Sequence, residues 1–180
     1  DNNRVQFTLI TNAGNRIREA MGAQIKEDLR KIGIQVDFSP MAFTVLVDQL
    51  STSLKWDCVL IGLTSGNEPN FGANTWLPDG NLHFFNQLPR GDSQPIEGRI
   101  VADWEAEIGR LYIEGARELD LEKRKAIYGE TQILAQEYLP FIYLVNPLSL
   151  AAVRNRFTGI EYSALGGAFW NIEEIGLLED

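Results

Sequence analysis

The hydrophobic period of the first 63 residues switches between two and 3.6, and such a chain is held to parallel strands with helices against them. Residues 4–11 set Val5, Phe7 and Leu9 against Gln6 and Thr8, the alternation of a half-buried strand. Residues 12–15, Asn-Ala-Gly-Asn, supply a turn, and Asn15 is the expected N-cap of a helix. Ile17, Met21, Ile25, Leu29 and Ile32 recur at three and four and form its apolar stripe, with Gly33 as the C′ residue that ends it. Residues 34–39 put Ile34, Val36 and Phe38 on one face of a second strand, which Pro40 is expected to break. A second helix over residues 43–54 turns Phe43, Leu46, Val47, Leu50 and Leu54 inward. Residues 56–63 are then a nearly continuous apolar run closed by Gly62, which suits a strand buried on both faces. Right-handed crossovers join these elements most economically.

The second half is less regular. Residues 69–95 carry four prolines and three glycines, yet also Phe71, Trp76, Phe84 and Phe85. A flexible linker lacks such aromatics, so a long, structured loop with aromatic anchors is expected. Helices are expected over residues 96–119, carrying Ile100, Trp104, Ile108, Leu111, Tyr112 and Gly115 inward, and over 121–138, capped by Asp120 and facing inward with Ile127, Leu134 and Tyr138. Pro140 ends the latter. Residues 141–145, Phe-Ile-Tyr-Leu-Val, read as a fourth strand, 148–153 as a fifth, and 169–175 as an edge strand. The fold class is therefore α/β, a mixed sheet of about five strands flanked by helices, in a single domain spanning residues 1–180.

Composition narrows the function classes. A net charge of −9, spread along the chain, opposes binding to a phosphate backbone, so no nucleic-acid partner is expected. One cysteine excludes an intrachain disulfide or a CxxC motif, and Cys58, inside the apolar run, is expected to be a buried small hydrophobe. One histidine leaves triad and histidine-metal chemistry short of parts, and no cofactor or metal is expected. Glu68, Asp79 and His83 have no diagnostic ligand spacing.

Residues 64–70 turn from the apolar run to hydroxyls, glycine, amides, one carboxylate and a proline. A buried strand ending in such a loop is how open α/β sheets present ligand contacts. Thr64, Ser65 and Asn67 offer small hydrogen-bonding groups, Gly66 lets a ligand approach the backbone, and Glu68 is the adjacent carboxylate. Trp76, with Phe84 and Phe85, offers apolar walls, and Asn86 lies beside them. The ligand-binding set expected is thus Thr64, Ser65, Gly66, Asn67, Glu68, Trp76 and Asn86. Trp104, Tyr128 and Tyr138 are expected in the core, and His83 as an ordinary loop residue. The Gly62–Gly66 spacing invites comparison with a nucleophile elbow, but Thr64 holds the central place and Asn-Glu-Pro does not start a helix at once. A small enzyme built on this loop and a protein-interaction module remain the alternatives to a binding protein.

Several segments, in their order, resemble the carboxyl-terminal half of extracytoplasmic solute-binding proteins of the dipeptide/oligopeptide type, the family-5 receptors of ABC importers. They are AMGAQIKEDLRKIGIQVDF at 20–38, FTVLVDQL at 43–50, KWDCVLIGLTSGNEPN at 55–70, LHFFNQ at 82–87 and EKRKAIYGETQILAQEYLPFIYLV at 122–145. The resemblance implies one lobe of a type II periplasmic-binding-protein-like fold, the other lobe lying upstream. It implies a non-catalytic receptor outside the cytoplasm that captures a peptide or related solute by hinge closure, docks on a membrane permease, and is held by a signal or lipid anchor upstream. The loop at 64–69 is then the one that faces the cleft. Oligopeptide-binding members carry an aspartate in that loop which pairs with the peptide's amino terminus. Here residues 63–67 are shorter and lack that acid, a departure from the family that turns the expectation from a free peptide amine towards a different solute, such as a sugar, an opine or a modified peptide.

Overall fold

A computed structural model describes residues 5–64, 66–88 and 96–178. Strand β1 (Gln6–Asn12) is the centre of a three-stranded parallel sheet, flanked by β2 (Gln35–Met41) and β3 (Cys58–Val59). The β1–β2 register runs unbroken from Gln6 opposite Gln35 to Asn12 opposite Met41. Helix α1 (Arg16–Lys31) joins them, and its two ends are where local chemistry sets them. The Asn15 side chain accepts from the Arg18 N–H at 3.1 Å, and Gly33 takes the left-handed φ of +85° past the last turn.

Strand β2 does not stop at Pro40. The Gln35 N–H donates to Val5 O, and Met41 O accepts from the Ala13 N–H. Residues 35 and 41 therefore face β1, whereas Pro40 points its ring nitrogen away from the sheet, where a missing N–H costs no ladder bond.

Met21, Ile25 and Leu29 of α1 pack on Leu9, Val36, Leu60 and Phe38. Gly22 is the point of closest approach, since a Cβ there would lie 2.2 Å from Cε2 of Phe38. That contact sets the rotation of the helix. Ile17 lies off the buried face and Ile32 beyond the last turn, and both are exposed rather than part of the stripe.

Helix α2 (Phe43–Asp48) continues as a π turn over Gln49–Ser53 and ends at Leu54, whose φ is +54°. Within it the Ser51 hydroxyl donates to Val47 O at 2.8 Å, a back-bond that competes with regular helix geometry. Leu46 and Leu50 meet Ile10 and Phe84 in the core. Phe43 and Val47 are exposed, because a helix this short buries only a narrow stripe against β1.

The apolar run at 56–63 contributes little ladder. Cys58 pairs with Leu9 and Val59 with Ile10, after which the Leu60 N–H donates to Ile10 O and Leu60 O accepts from the Thr11 hydroxyl. Strand β3 is the edge of the three-stranded sheet, yet the run is packed on both faces, Leu60 on the α1 side and Val59 and Ile61 on the α2 side, whereas Cys58 is exposed rather than the buried hydrophobe expected.

Beyond it, residues 66–88 form a structured, aromatic segment, as expected: a 3₁₀ turn (Pro69–Gly72), the short helix α3 (Ala73–Trp76) and a second 3₁₀ turn (Phe84–Asn86). The rest of the expected loop, 89–95, lies outside the described residues. Helix α4 (Asp103–Arg117) starts well after residue 96. The Arg99 guanidinium donates to Asn86 O and Pro78 O, and Ile100 O accepts from the Asn86 amide. This approach segment is pinned across the preceding loop and is not free to coil, which leaves Ile100 exposed.

Helix α5 (Leu121–Tyr138) begins with Asp120 accepting from the Lys123 N–H at 2.9 Å and ends at Leu139, φ +47°. The two helices form a hairpin around Ile108, Tyr112, Tyr128 and Ala135. Gly115 lets the Tyr128 ring lie against the α4 backbone. Ile127 and Leu134 are half-buried, and Tyr138 is exposed on one side while its ring stacks on Trp104 at 5.2 Å.

The strands expected at 141–145, 148–153 and 169–175 do not form. Residues 141–153 carry no ladder, and the last segment instead holds a 3₁₀ turn (Ile172–Glu174). A separate antiparallel pair, β4 (Phe157–Thr158) with β5 (Gly176–Leu177), closes the described residues. The described residues thus form a sheet of three strands and another of two, in place of one of about five. No helix among the described residues is long and apolar enough to cross a membrane.

Candidate ligand-binding site

The carboxyl end of β3 opens into the polar loop. Thr64, Gly66 and Asn67 are exposed there, while Ser65 lies outside the described residues. The Phe71 ring folds back on Gly66, whose Cβ would lie 2.4 Å from Cδ2 of Phe71. A side chain at residue 66 would displace that ring.

Glu68 is the hinge between loop and scaffold. Its carboxylate caps the 3₁₀ turn, accepting from the Asn70 N–H at 3.2 Å, and forms an ion pair with Arg124 of α5. Arg124 in turn donates from Nε to Gly115 O at 2.9 Å, and its guanidinium lies over the Tyr128 ring at 5.6 Å. Glu68 therefore straps the loop to the α4–α5 hairpin. Its carboxylate is already engaged by a cation, so the more open groups of this loop are those of Thr64 and Asn67.

Trp76 stands apart from the loop tip, in an aromatic lattice. Its ring stacks with Tyr112 at 6.5 Å, meets Phe85 at 6.0 Å and receives Phe141 edge-on at 5.6 Å. A cleft of about 210 Å³ opens beside it, lined by Trp76, Tyr112, Thr131, Gln136 and Tyr143 among others. Phe84 faces the core rather than a cleft, and Phe85 is sandwiched between His83 and Trp104.

Asn86 is committed inward. Its amide donates to Ile100 O at 2.9 Å and to Glu105 Oε2 at 2.7 Å. The same carboxylate oxygen lies 3.2 Å from Nε2 of His83, whose Nδ1 lies 2.9 Å from Thr75 O. His83 is wholly buried and Glu105 nearly so, which makes this the polar knot joining α3, the second 3₁₀ turn and α4. The sequence reading made His83 an ordinary loop residue and did not single out Glu105. A signal was present: Glu105, Ile108 and Tyr112 share a helical face, and a carboxylate there demands a buried donor. With both ring nitrogens occupied, His83 serves structure and has no lone pair aimed at Thr64 or at a metal. Among the described residues, no group of three or more His, Cys, Asp or Glu side chains is placed to hold a metal ion.

Comparison with known proteins places the chain. No protein-family model matches it. A probable ABC transporter-binding protein of Deinococcus radiodurans is 32% identical over 154 residues, which are 79% of this chain and 24% of that protein. The chain is thus similar, over most of its own length, to a quarter of that binding protein. The oligopeptide-binding protein AppA of Bacillus subtilis is 25% identical over 165 residues, 90% of this chain and 27% of AppA. In fold, AppA of Bacillus subtilis solved with a nonapeptide superposes with a TM-score of 0.67 at 20% identity, covering 97% of this chain and 32% of that one. NikZ of Campylobacter jejuni, solved with Ni(L-His), gives 0.65 at 17% identity, over 96% of this chain and 33% of NikZ. These neighbours show a lobe of the periplasmic-binding-protein fold. The chain spans about a quarter of the length of the curated relatives it matches.

Proposed function

We propose that this chain is the carboxyl-terminal ligand-binding lobe of a larger two-lobed receptor for an ABC importer. It captures a peptide or related small solute outside the cytoplasm, without covalent chemistry, and delivers it to a membrane permease. The observation that carries this reading is an exposed polar loop at the carboxyl end of β3, strapped to the helical hairpin through Glu68 and Arg124 in a chain similar to such a binding protein. A loop held at its base and open at its tip is preorganised, which lowers the ordering cost of capture. Thr64, Gly66, Asn67 and Glu68 form one wall of the cleft, Trp76 and Asn86 support it, and the second lobe supplies the opposite wall. Closure is then a population shift driven by solute that binds both walls.

The test is a thermal-shift measurement on the full-length receptor, with tripeptides, a nonapeptide, Ni(L-His) and simple sugars as probes, repeated on this chain alone. A probe at 100 times its Kd stabilises the intact receptor by about 2.7 kcal/mol and barely moves the isolated lobe. Equal stabilisation of both overturns the shared-cleft reading. No response to any probe from the intact receptor, with Thr64→Ala and Asn67→Ala also inert, favours an interaction module.

A further inference from the structure

We propose that the solute captured here carries a carboxylate and that Arg18 of α1 receives it. This deepens the solute-capture reading above and rests on it. Among the described residues three cationic side chains are half-buried, Arg18, Arg99 and Arg124. Two of them are tied to acceptors inside the protein. Arg99 donates to Asn86 O and Pro78 O, and Arg124 joins Glu68 to Gly115 O. Arg18 makes a single bond among the described residues, from Nη1 to Asn12 Oδ1 at 2.6 Å, and no carboxylate there pairs with it. A guanidinium offers a fork of N–H donors, and most of this one's are unused. A cation drawn partly out of water without an anion is costly, and a ligand that brings the anion recovers that cost.

The position of Arg18 is that of a ligand contact. Asn12 ends β1 and Gly62 follows β3, the strand beside it. The guanidinium therefore bridges the carboxyl ends of two neighbouring parallel strands, where open α/β sheets receive ligands. Its Nη2 fills the space that a side chain at residue 62 would take, 2.7 Å from where the Cβ would stand. Thr64 and Asn67, both exposed, continue along the same loop.

The neighbouring acids do not cancel this charge. Glu68 is paired with Arg124. Asp57 precedes β3, at the opposite end of the strand, and accepts from the Thr8 N–H at 2.8 Å. Glu19 turns back to accept from the Gly14 N–H, also at 2.8 Å. Among its described residues the loop thus presents a cation and small neutral groups, with no carboxylate left to receive an ammonium. Two parallel N–H···O bonds match a carboxylate to a guanidinium. A peptide bound here is then held by its carboxyl terminus or an acidic side chain, not by its amine.

Calorimetric titration of the full-length receptor with matched probes tests this. The pairs are trialanine with its carboxyl-terminal amide, and gluconate with glucose; N-acetyl-trialanine removes the amine and keeps the acid. The acid of a pair binds about 10–100-fold more tightly than its neutral partner, the range for hydrogen bonds to a charged group, and N-acetylation changes little. Arg18→Gln abolishes the preference by weakening the acid alone. Arg18→Lys retains part of it, because the charge stays while the fork is lost. Equal weakening of acid and neutral probes by Arg18→Gln assigns Arg18 to holding the loop and overturns the proposal. A preference that survives Arg18→Gln overturns it too. The acid–neutral comparison needs no variant, so it decides even where Arg18→Gln fails to fold. Equal binding of both members refutes the carboxylate reading and leaves solute capture standing. A receptor that binds none of these probes also refutes it, and solute capture falls with it only where the nonapeptide and Ni(L-His) are inert as well.

Discussion

Replacing Glu105 with alanine removes the acceptor on which the buried His83 ring and the half-buried Asn86 amide converge. Asn86 Nδ2 and His83 Nε2 lie 2.7 and 3.2 Å from Oε2; Asn86 also donates to Ile100 O, but His83 Nε2 is left facing no acceptor in a wholly buried site. A buried polar group stripped of its partner costs about 1–3 kcal/mol; His83 bears that in full and the half-buried Asn86, which retains the Ile100 carbonyl, bears less, so the loss is about 2–4 kcal/mol. For a domain of this size that is a fall in melting temperature of about 5–15 °C. Equilibrium urea unfolding followed by tryptophan fluorescence reads it well, because Trp76 and Trp104 lie in the aromatic lattice around the knot. Glu105→Gln falls between, since its carbonyl oxygen still accepts from Asn86. The paired replacement Glu105→Met with His83→Phe is milder than Glu105→Ala alone, because it removes acceptor and donor together. Glu130, exposed on α5, is the control, and its alanine variant stays within about 0.5 kcal/mol. A Glu105→Ala variant as stable as that control refutes the view that this carboxylate ties the three elements together.

Two further outcomes test the hairpin. Gly115→Ala gains about 1 kcal/mol of helix propensity, yet the new Cβ would lie 2.8 Å from the Tyr128 ring. Overpacking wins, with a net loss of about 1–2 kcal/mol in urea unfolding, and a more stable variant shows that the ring yields freely. Burial, and then the neighbouring Tyr128 and Tyr143, hold the Tyr112 hydroxyl well above its ordinary pKa. The unfolded chain ionises first, so this group leaves stability unchanged below about pH 10 and lowers it as pH rises beyond. The urea midpoint therefore drops between pH 10 and 11.5, and Tyr112→Phe flattens that drop. An equal drop in the variant assigns the alkaline loss elsewhere.

Features decided within a turn or two of chain were legible from the residues. Asn15 and Asp120 cap helices because each side chain reaches an N–H three residues on, and Gly33 ends α1 because its φ of +85° is cheap only for glycine. The order of elements through β3 and the polar loop after it followed from periodicity in the same way. Pairings between distant residues were not legible. The apolar run at 56–63 and the segment at 141–153 have the same strand-like composition, but one gains two ladder pairs as an edge and the other gains none among the described residues.

By itself, then, the sequence determined both ends of α1 and the start of α5, that β1, β2 and β3 follow one another as a parallel set, and that a polar loop leaves the last of them. Only the tertiary structure decided that Pro40 sits harmlessly within an outer strand, that Cys58 is exposed, and that Glu68 is held by Arg124, 56 residues away. It also decided that His83 and Asn86 converge on Glu105. The reason is physical. Caps and periodicity depend on neighbours fixed by covalent geometry, whereas strand pairing, burial and ion pairing depend on which remote surface arrives, and composition does not encode that arrival.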